Sequence, residues 1–139
     1  MKTSNLFLAA SVVLILNFSS CKKYEDGPGF SLKSKTGRLT GEWEVVQVYD
    51  SNGQSLLGNE YEVEMEFEKD GDFEMTYGYS YGGQSYSYTY KGDWEWESDK
   101  SEIEVVMDGT KQTWEITRLT SKELQFEDED GNEWELEAK

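Results

Sequence analysis

Apolar and polar residues alternate along most of the chain with a period of two. The clearest run is Tyr61-Glu62-Val63-Glu64-Met65-Glu66-Phe67-Glu68, where every odd residue is apolar or aromatic and every even one is glutamate. That period puts all four large side chains on one face of a strand, whereas a helix would scatter them around its circumference. The alternation recurs in Phe73/Met75/Tyr77/Tyr79, Tyr86/Tyr88/Tyr90/Trp94/Trp96, Ile103/Val105/Met107, Trp114/Ile116, Leu124/Phe126 and Trp134/Leu136. With Trp43 to Tyr49 added, the pattern predicts eight strands, at 42–49, 61–68, 73–81, 84–98, 102–108, 112–118, 122–128 and 132–138.

Requiring apolar faces to meet fixes several turns. Lys69-Asp70-Gly71 as a three-residue loop sets Phe67 opposite Phe73 and Met65 opposite Met75; a two-residue turn would set Glu68 against Phe73. Glu129-Asp130-Gly131 repeats that solution and sets Phe126 opposite Trp134. Gly82-Gly83 as a two-residue turn pairs Tyr79 with Tyr86, Tyr77 with Tyr88 and Met75 with Tyr90. On the other face it pairs Ser80 with Ser85, Thr76 with Thr89 and Glu74 with Lys91. Gly92 keeps the parity of Tyr90 and Trp94 and reads as a bend inside one long strand. The turn between Asp108 and Lys111 admits several even-length loops. Short loops between consecutive strands make an up-and-down meander, and eight strands with one apolar face close into a barrel without exposed edges. The long first connection, Asp50 to Glu60, is the exception.

The N-terminal quarter of the chain is different. Lys2, an apolar stretch from Leu6 to Leu16 and Asn17-Phe18-Ser19-Ser20 lead to Cys21, the only cysteine. The apolar run is too short for a spanning helix of ~20 residues and reads as an export signal. Small residues before a lone cysteine resemble bacterial lipoprotein signals, which implies cleavage after residue 20, acylation of Cys21 and membrane attachment through that lipid. Residues 22–38 carry Gly27-Pro28-Gly29 and scattered Ser and Lys without periodicity, as a flexible tether does. The expected organisation is thus a signal peptide over 1–20, an acylated cysteine and tether over 21–38, and one barrel domain over 39–139. Lys22-Lys23-Tyr24-Glu25-Asp26 is similar to signals that carry some lipoproteins to the outer face of the outer membrane.

Charge narrows the partners. Residues 39–139 hold 27 acidic against 7 basic residues, a formal net of −20, while residues 22–38 carry +3. Such a domain repels nucleic acid and anionic lipid. With no histidine and one cysteine, there is no histidine-based triad, no usual zinc site and no intramolecular disulfide.

Gly41-Glu42-Trp43, following Leu39-Thr40 at the head of the first strand, resembles the Gly-x-Trp signature of lipocalins. The resemblance covers residues 39–139. It implies an all-β, eight-stranded antiparallel up-and-down barrel, with Trp43 at its closed base and the long first loop as a lid over its mouth. Closer still, tether plus domain is similar to lipocalin-like lipoproteins of Gram-negative envelopes. The sequence departs from the family in having no arginine after Arg118 and no room for a helix after the last strand.

The Tyr-rich hairpin is the feature most suggestive of function. Tyr77, Tyr79, Tyr86, Tyr88 and Trp94 share strand parity and are the candidate ligand-binding residues, facing a cavity that would take a small hydrophobic or aromatic ligand. Two alternatives stand beside this reading: the tyrosines fill the interior as core, or the hairpin projects beyond the barrel and binds a partner or glycan. Asp128 to Glu133 and Asp70-Gly71-Asp72 read as turns rather than calcium loops, and Glu62, Glu64, Glu66 and Glu68 as a solvated face. No nucleophile beside a base and no phosphate-binding glycine loop is visible. The expectation is a monomeric, non-enzymatic, envelope-anchored binding barrel without metal or cofactor. The runner-up is a ligand-free interaction module with a packed interior.

Overall fold

The computed structural model describes residues 32–139; the signal segment, Cys21 and most of the tether lie outside the described residues. Eight strands run in order around a closed antiparallel barrel: β1 Gly41–Tyr49, β2 Tyr61–Phe67, β3 Asp72–Tyr81, β4 Gln84–Glu97, β5 Glu102–Met107, β6 Thr110–Leu119, β7 Glu123–Glu127 and β8 Glu133–Ala138. Pairing of β1 with β8 closes the ring.

The registers inferred from the turns are the observed ones. Phe67 faces Phe73 and Met65 faces Met75. Tyr79, Tyr77 and Met75 face Tyr86, Tyr88 and Tyr90, and Phe126 faces Trp134. Both three-residue loops close as expected: the Glu68 N–H donates to Asp72 O (2.9 Å) and the Asp128 N–H to Asn132 O (3.0 Å). The turn left open by the sequence is Asp108-Gly109, because Met107 pairs with Thr110. Both turn residues have positive φ (48° and 76°), the mirror-image turn whose twist matches a hairpin.

Strict alternation fails at two places. The register shifts between Val45 and Gln47 in β1 and between Ile116 and Arg118 in β6. Each bulge adds one residue and flips the parity. Val48 and Leu119 thereby turn inward after Val45 and Ile116, while Val46 is left exposed.

The base is closed by an element that the pattern did not predict. Lys35–Leu39 forms a short helix, α1, so Lys35 to Arg38, read from the sequence as the end of a flexible tether, are helical. Ser34 caps it, its Oγ accepting the Gly37 N–H at 3.0 Å. Leu39 is fully buried, and its carbonyl accepts the Trp43 indole N–H at 2.8 Å. From β4, the Trp96 indole N–H donates to Thr36 Oγ1 at 3.0 Å, tying the helix to the opposite wall.

Above this base the interior is filled by side chains. Phe67 packs edge-on against Trp94 (5.8 Å between ring centroids), and Phe73 packs edge-on against Trp114 (5.7 Å). Trp114, Phe126 and Trp134 form a face-to-face stack with spacings of 4.5 and 5.7 Å that climbs toward the mouth. The packed-interior alternative therefore describes the lower barrel. At Gly92 the strands approach closely, and an added Cβ would lie 1.8 Å from the Val106 carbonyl oxygen. The bend read from the sequence is thus the point where β4, paired with β3 from Gln84 to Asp93, begins to engage β5 at Met107.

Candidate binding site at the barrel mouth

The mouth is the end bearing the β1–β2 loop and the β3–β4, β5–β6 and β7–β8 turns. Its rim is uneven. β4 pairs with β5 only from Gly92 to Glu97, so β3 and the first part of β4 rise past the shorter β5–β6 side as a projecting hairpin.

A pocket of about 440 Å³ opens at this end. Val48 of β1 and Val63 of β2 form its lower wall, both nearly inaccessible to solvent. Tyr77 faces Val63 from β3, and Tyr61 stands one pair further up β2, opposite Tyr79. Trp134, the top of the aromatic stack, flanks the opening beside Asn132. Leu56 and Leu57 lean in from the first loop.

That loop is ordered by the same three-residue turn found twice elsewhere. The Asp50 N–H donates to Gln54 O at 2.9 Å, and Asp50 Oδ1 accepts the Asn52 and Gln54 N–H groups at 2.9 and 2.8 Å. The returning chain then runs back along β1, with the Leu56 N–H donating to Val48 O at 2.8 Å. This brings the two leucines to the rim, where the resemblance predicted a lid. Leu57 packs against the core cluster, whereas Leu56 stays exposed.

Trp134 is positioned by the β7–β8 turn. Its indole N–H donates to Asp128 Oδ2 at 2.8 Å, and Asn132 Nδ2 donates to the same oxygen at 3.0 Å. Asp128 Oδ1 accepts the Asp130 and Asn132 N–H groups. Partial burial alone would raise the Asp128 pKa, but the hydrogen bonds from Asn132, Trp134 and the turn backbone outweigh it and hold the carboxyl below its ordinary value. With both oxygens so engaged, this acidic turn works as a bracket for Trp134. Burial, then the proximity of Tyr90, raises the Tyr77 pKa, so its phenol is a neutral donor at physiological pH.

The five candidate ligand residues are not gathered in one place. Tyr77 lines the pocket. Tyr79 is half-buried and stacks on Tyr86 at 5.0 Å; Tyr86 and Tyr88 stand on the projecting hairpin, 39% and 56% exposed. Trp94 lies toward the base, packed against Phe67 and Trp96, with its indole N–H on Glu68 O at 2.8 Å. Shared parity fixes a face but not a depth, and six residues of strand separate Tyr88 from Trp94 by ~20 Å. Gly41 and Trp43 are at the base, Trp43 only 2% exposed. Cys21 lies outside the described residues. Sequence reasoning did not single out Leu56 and Leu57, the one apolar pair in an otherwise polar loop, or assign Trp134 to a site.

Two carboxylate clusters occur on the described surface, Glu68/Asp70/Asp72 and Glu95/Glu97/Glu104. The first is fully exposed; in the second, Glu104 is partly covered and ion-paired with Lys111 at 2.7 Å. Glu68 titrates above its ordinary value, first because of Asp70 and then through slight burial and other acidic neighbours, so the first cluster is mutually repulsive.

A closed eight-stranded barrel with a plugged base and an apolar mouth defines a class of small binding proteins. The chain belongs to the lipocalin-like domain family, whose model matches residues 39–126. That family binds small hydrophobic ligands. Among solved structures, a lipocalin-like protein from Bacteroides uniformis is similar over 74% of this chain and 100% of its own, at 19% identity and a TM-score of 0.57. A deswapped triple mutant of bovine odorant binding protein matches over 73% of this chain and 74% of its own, at 17% identity and a TM-score of 0.42. Bovine odorant binding protein in complex with a selenium-containing odorant matches over 80% and 74%, at 15% identity and a TM-score of 0.43. No curated protein matches the chain.

Proposed function

We propose that the protein is an envelope-anchored lipoprotein whose barrel takes a small apolar or aromatic ligand at its mouth, between Trp134, Tyr77, Tyr61 and the Leu56-Leu57 edge. The observation that carries this reading is the pocket of about 440 Å³, walled by valine, leucine and aromatic side chains. Ligand pockets generally span ~300–1,000 Å³ and combine apolar walls with a few polar groups. This one is at the small end of that range, and the packed stack beneath it blocks a deeper channel. It suits a compact ring system better than a long acyl chain. The Tyr77 and Tyr61 hydroxyls supply the orienting polar groups.

An anchor at Cys21 is consistent with this geometry. Residues 22–31 would join the barrel at α1, at the closed base, so acylation there leaves the mouth directed away from the bilayer. The domain's net charge of −20 favours the same stand-off from anionic lipid.

The test is a titration with a naphthalene-type hydrophobic dye, followed by quenching of tryptophan emission. Saturable quenching that is lost in Trp134→Ala and weakened in Leu57→Ser supports the mouth site. Absence of binding, or binding indifferent to both substitutions, refutes it.

A further inference from the structure

The projecting hairpin has a composition found nowhere else in the chain. Residues 77–90 contain six of the nine tyrosines and no charged side chain, in a domain with a net charge of −20. Four glycine or glutamine positions and four hydroxyl residues make up the remainder.

The register sorts these residues by face. Tyr77, Tyr79, Tyr86, Tyr88 and Tyr90 share one side of the β3–β4 ribbon, joined by Tyr61 from β2, which packs against Tyr79 at 6.4 Å. Ser80 and Ser85, and Thr76 and Thr89, pair on the other side. Because β5 stops at Met107 opposite Gly92, β4 from Gln84 to Lys91 is paired with β3 on one edge only, and the described residues place no strand along its other edge. Tyr86, Tyr88 and Tyr90 consequently stay open to solvent at 39%, 56% and 42% exposure. The Tyr86 and Tyr88 rings both lie nearly parallel to Tyr79, at 18° and 12°. Two residues of strand separate successive tyrosines of β4 by ~7 Å. The result is a row of aromatic side chains in which Tyr79, Tyr86 and Tyr88 are near-parallel and Tyr90 meets Tyr77 edge-on, the largest cluster of exposed aromatic side chains among the described residues.

A patch of this kind marks a contact surface rather than ordinary solvation. Charge then selects the ligand. Aromatic rows also suit unstacked nucleic-acid bases, but a phosphate backbone would be repelled by the acidic domain around this one. An acidic polysaccharide or anionic lipid meets the same repulsion. A purely apolar ligand gains nothing from the phenol hydroxyls of the row. A cation would find no carboxylate within the row itself. The chemistry left is a neutral chain with flat apolar faces and hydrogen-bonding edges. We propose that the outer part of the tyrosine face of the β3–β4 hairpin, which continues beyond the mouth pocket from Tyr61 and Tyr77, is a second binding site, for a neutral oligosaccharide that stacks its sugar rings on Tyr86, Tyr88 and Tyr90.

The experiment is isothermal titration of the full-length protein with neutral hexasaccharides of β-1,4-linked glucose, mannose and xylose and of α-1,4-linked glucose, with an oligogalacturonate as the acidic control. The expected result is saturable binding of at least one neutral chain and none of the acidic one. Tyr88→Ala and Tyr86→Ala should each weaken it about tenfold or more, with thermal melts showing that both variants remain folded. Tyr88→Phe should retain most of the binding, since the ring face is what the sugar uses. Trp134→Ala should abolish dye binding at the mouth and leave sugar binding intact, which separates this site from the mouth pocket. Failure of every neutral hexasaccharide to bind overturns the proposal, as does binding indifferent to Tyr88→Ala. A preference for cationic peptides that collapses with added salt would also overturn it and assign the face to a cation.

Discussion

Replacing Trp43 by alanine tests the base of the barrel. Trp43 is 2% exposed, faces Met65 on β2 and Ala138 on β8, and receives α1 from below through its indole N–H on Leu39 O. A buried aromatic of this size withdraws about 150–250 Å² from water, worth about 4–6 kcal/mol at ~25 cal/mol per Å². Part of that is already lost in a compact unfolded chain, so the expected cost is about 3–5 kcal/mol, the range for large aromatic truncations. Trp43→Phe keeps most of the apolar contact but leaves the Leu39 carbonyl without its indole donor. That variant should lose about 1–3 kcal/mol. Urea melts of the chain from residue 22 onward measure both, the midpoint falling while the slope stays constant. The α1 amides should lose hydrogen-exchange protection in the alanine variant, because the helix docks on the missing ring. A loss below about 1 kcal/mol for Trp43→Ala, typical of surface positions, would refute the plug and its link to α1.

Three further outcomes are expected. Gly92→Ala drives a Cβ onto the Val106 carbonyl oxygen at the β4–β5 junction and should cost about 3 kcal/mol, the upper end for overpacking, measured by the same melts. The Asp128 pKa is lowered in the folded state, so its bracket stabilises the barrel fully above the ordinary carboxylate value of 3.8 and fades as pH falls below it; Asp128→Asn should flatten the acid limb of a stability–pH profile and shift Trp134 emission. A fatty-acid analogue should label the wild-type chain in cells and fail to label Cys21→Ser, because stable anchoring of this type depends on acyl chains at that residue; an unlabelled, soluble wild type would contradict the anchor.

Much of the barrel is legible in the sequence because two independent constraints coincide. Alternation fixes the faces, and requiring Phe67 to meet Phe73 or Tyr79 to meet Tyr86 fixes the turns, so register follows without further information. The two bulges escape this logic: Val45-Val46-Gln47-Val48 contains apolar residues of both parities, and only the pairing with β8 shows which one is extra. The helix α1 escapes as well, since five residues of Lys-Thr-Gly-Arg-Leu have no period and are helical through the contacts of Leu39 and Thr36 with the tryptophans above. The site is the least legible part. Tyr77 is recoverable from parity, but Leu56, Leu57 and Trp134 come together only when an aperiodic loop folds back on β1 and a distant turn fixes an indole. Trp94 shows the converse error, a correct face assigned to the wrong depth.

The five tryptophans also report on where a ligand binds. Each indole N–H has its own acceptor: Leu39 O for Trp43, Glu68 O for Trp94, Thr36 Oγ1 for Trp96, Gln112 Oε1 for Trp114 and Asp128 Oδ2 for Trp134. An NMR titration with a compact aromatic ligand therefore reads mouth and base in one spectrum. Binding at the mouth predicts a large, saturable shift of the Trp134 indole resonance, a smaller one for Trp114 at the bottom of the stack, and none for Trp43 and Trp96. Five unmoved indole resonances at saturating ligand, or shifts largest at the base, would contradict the mouth site.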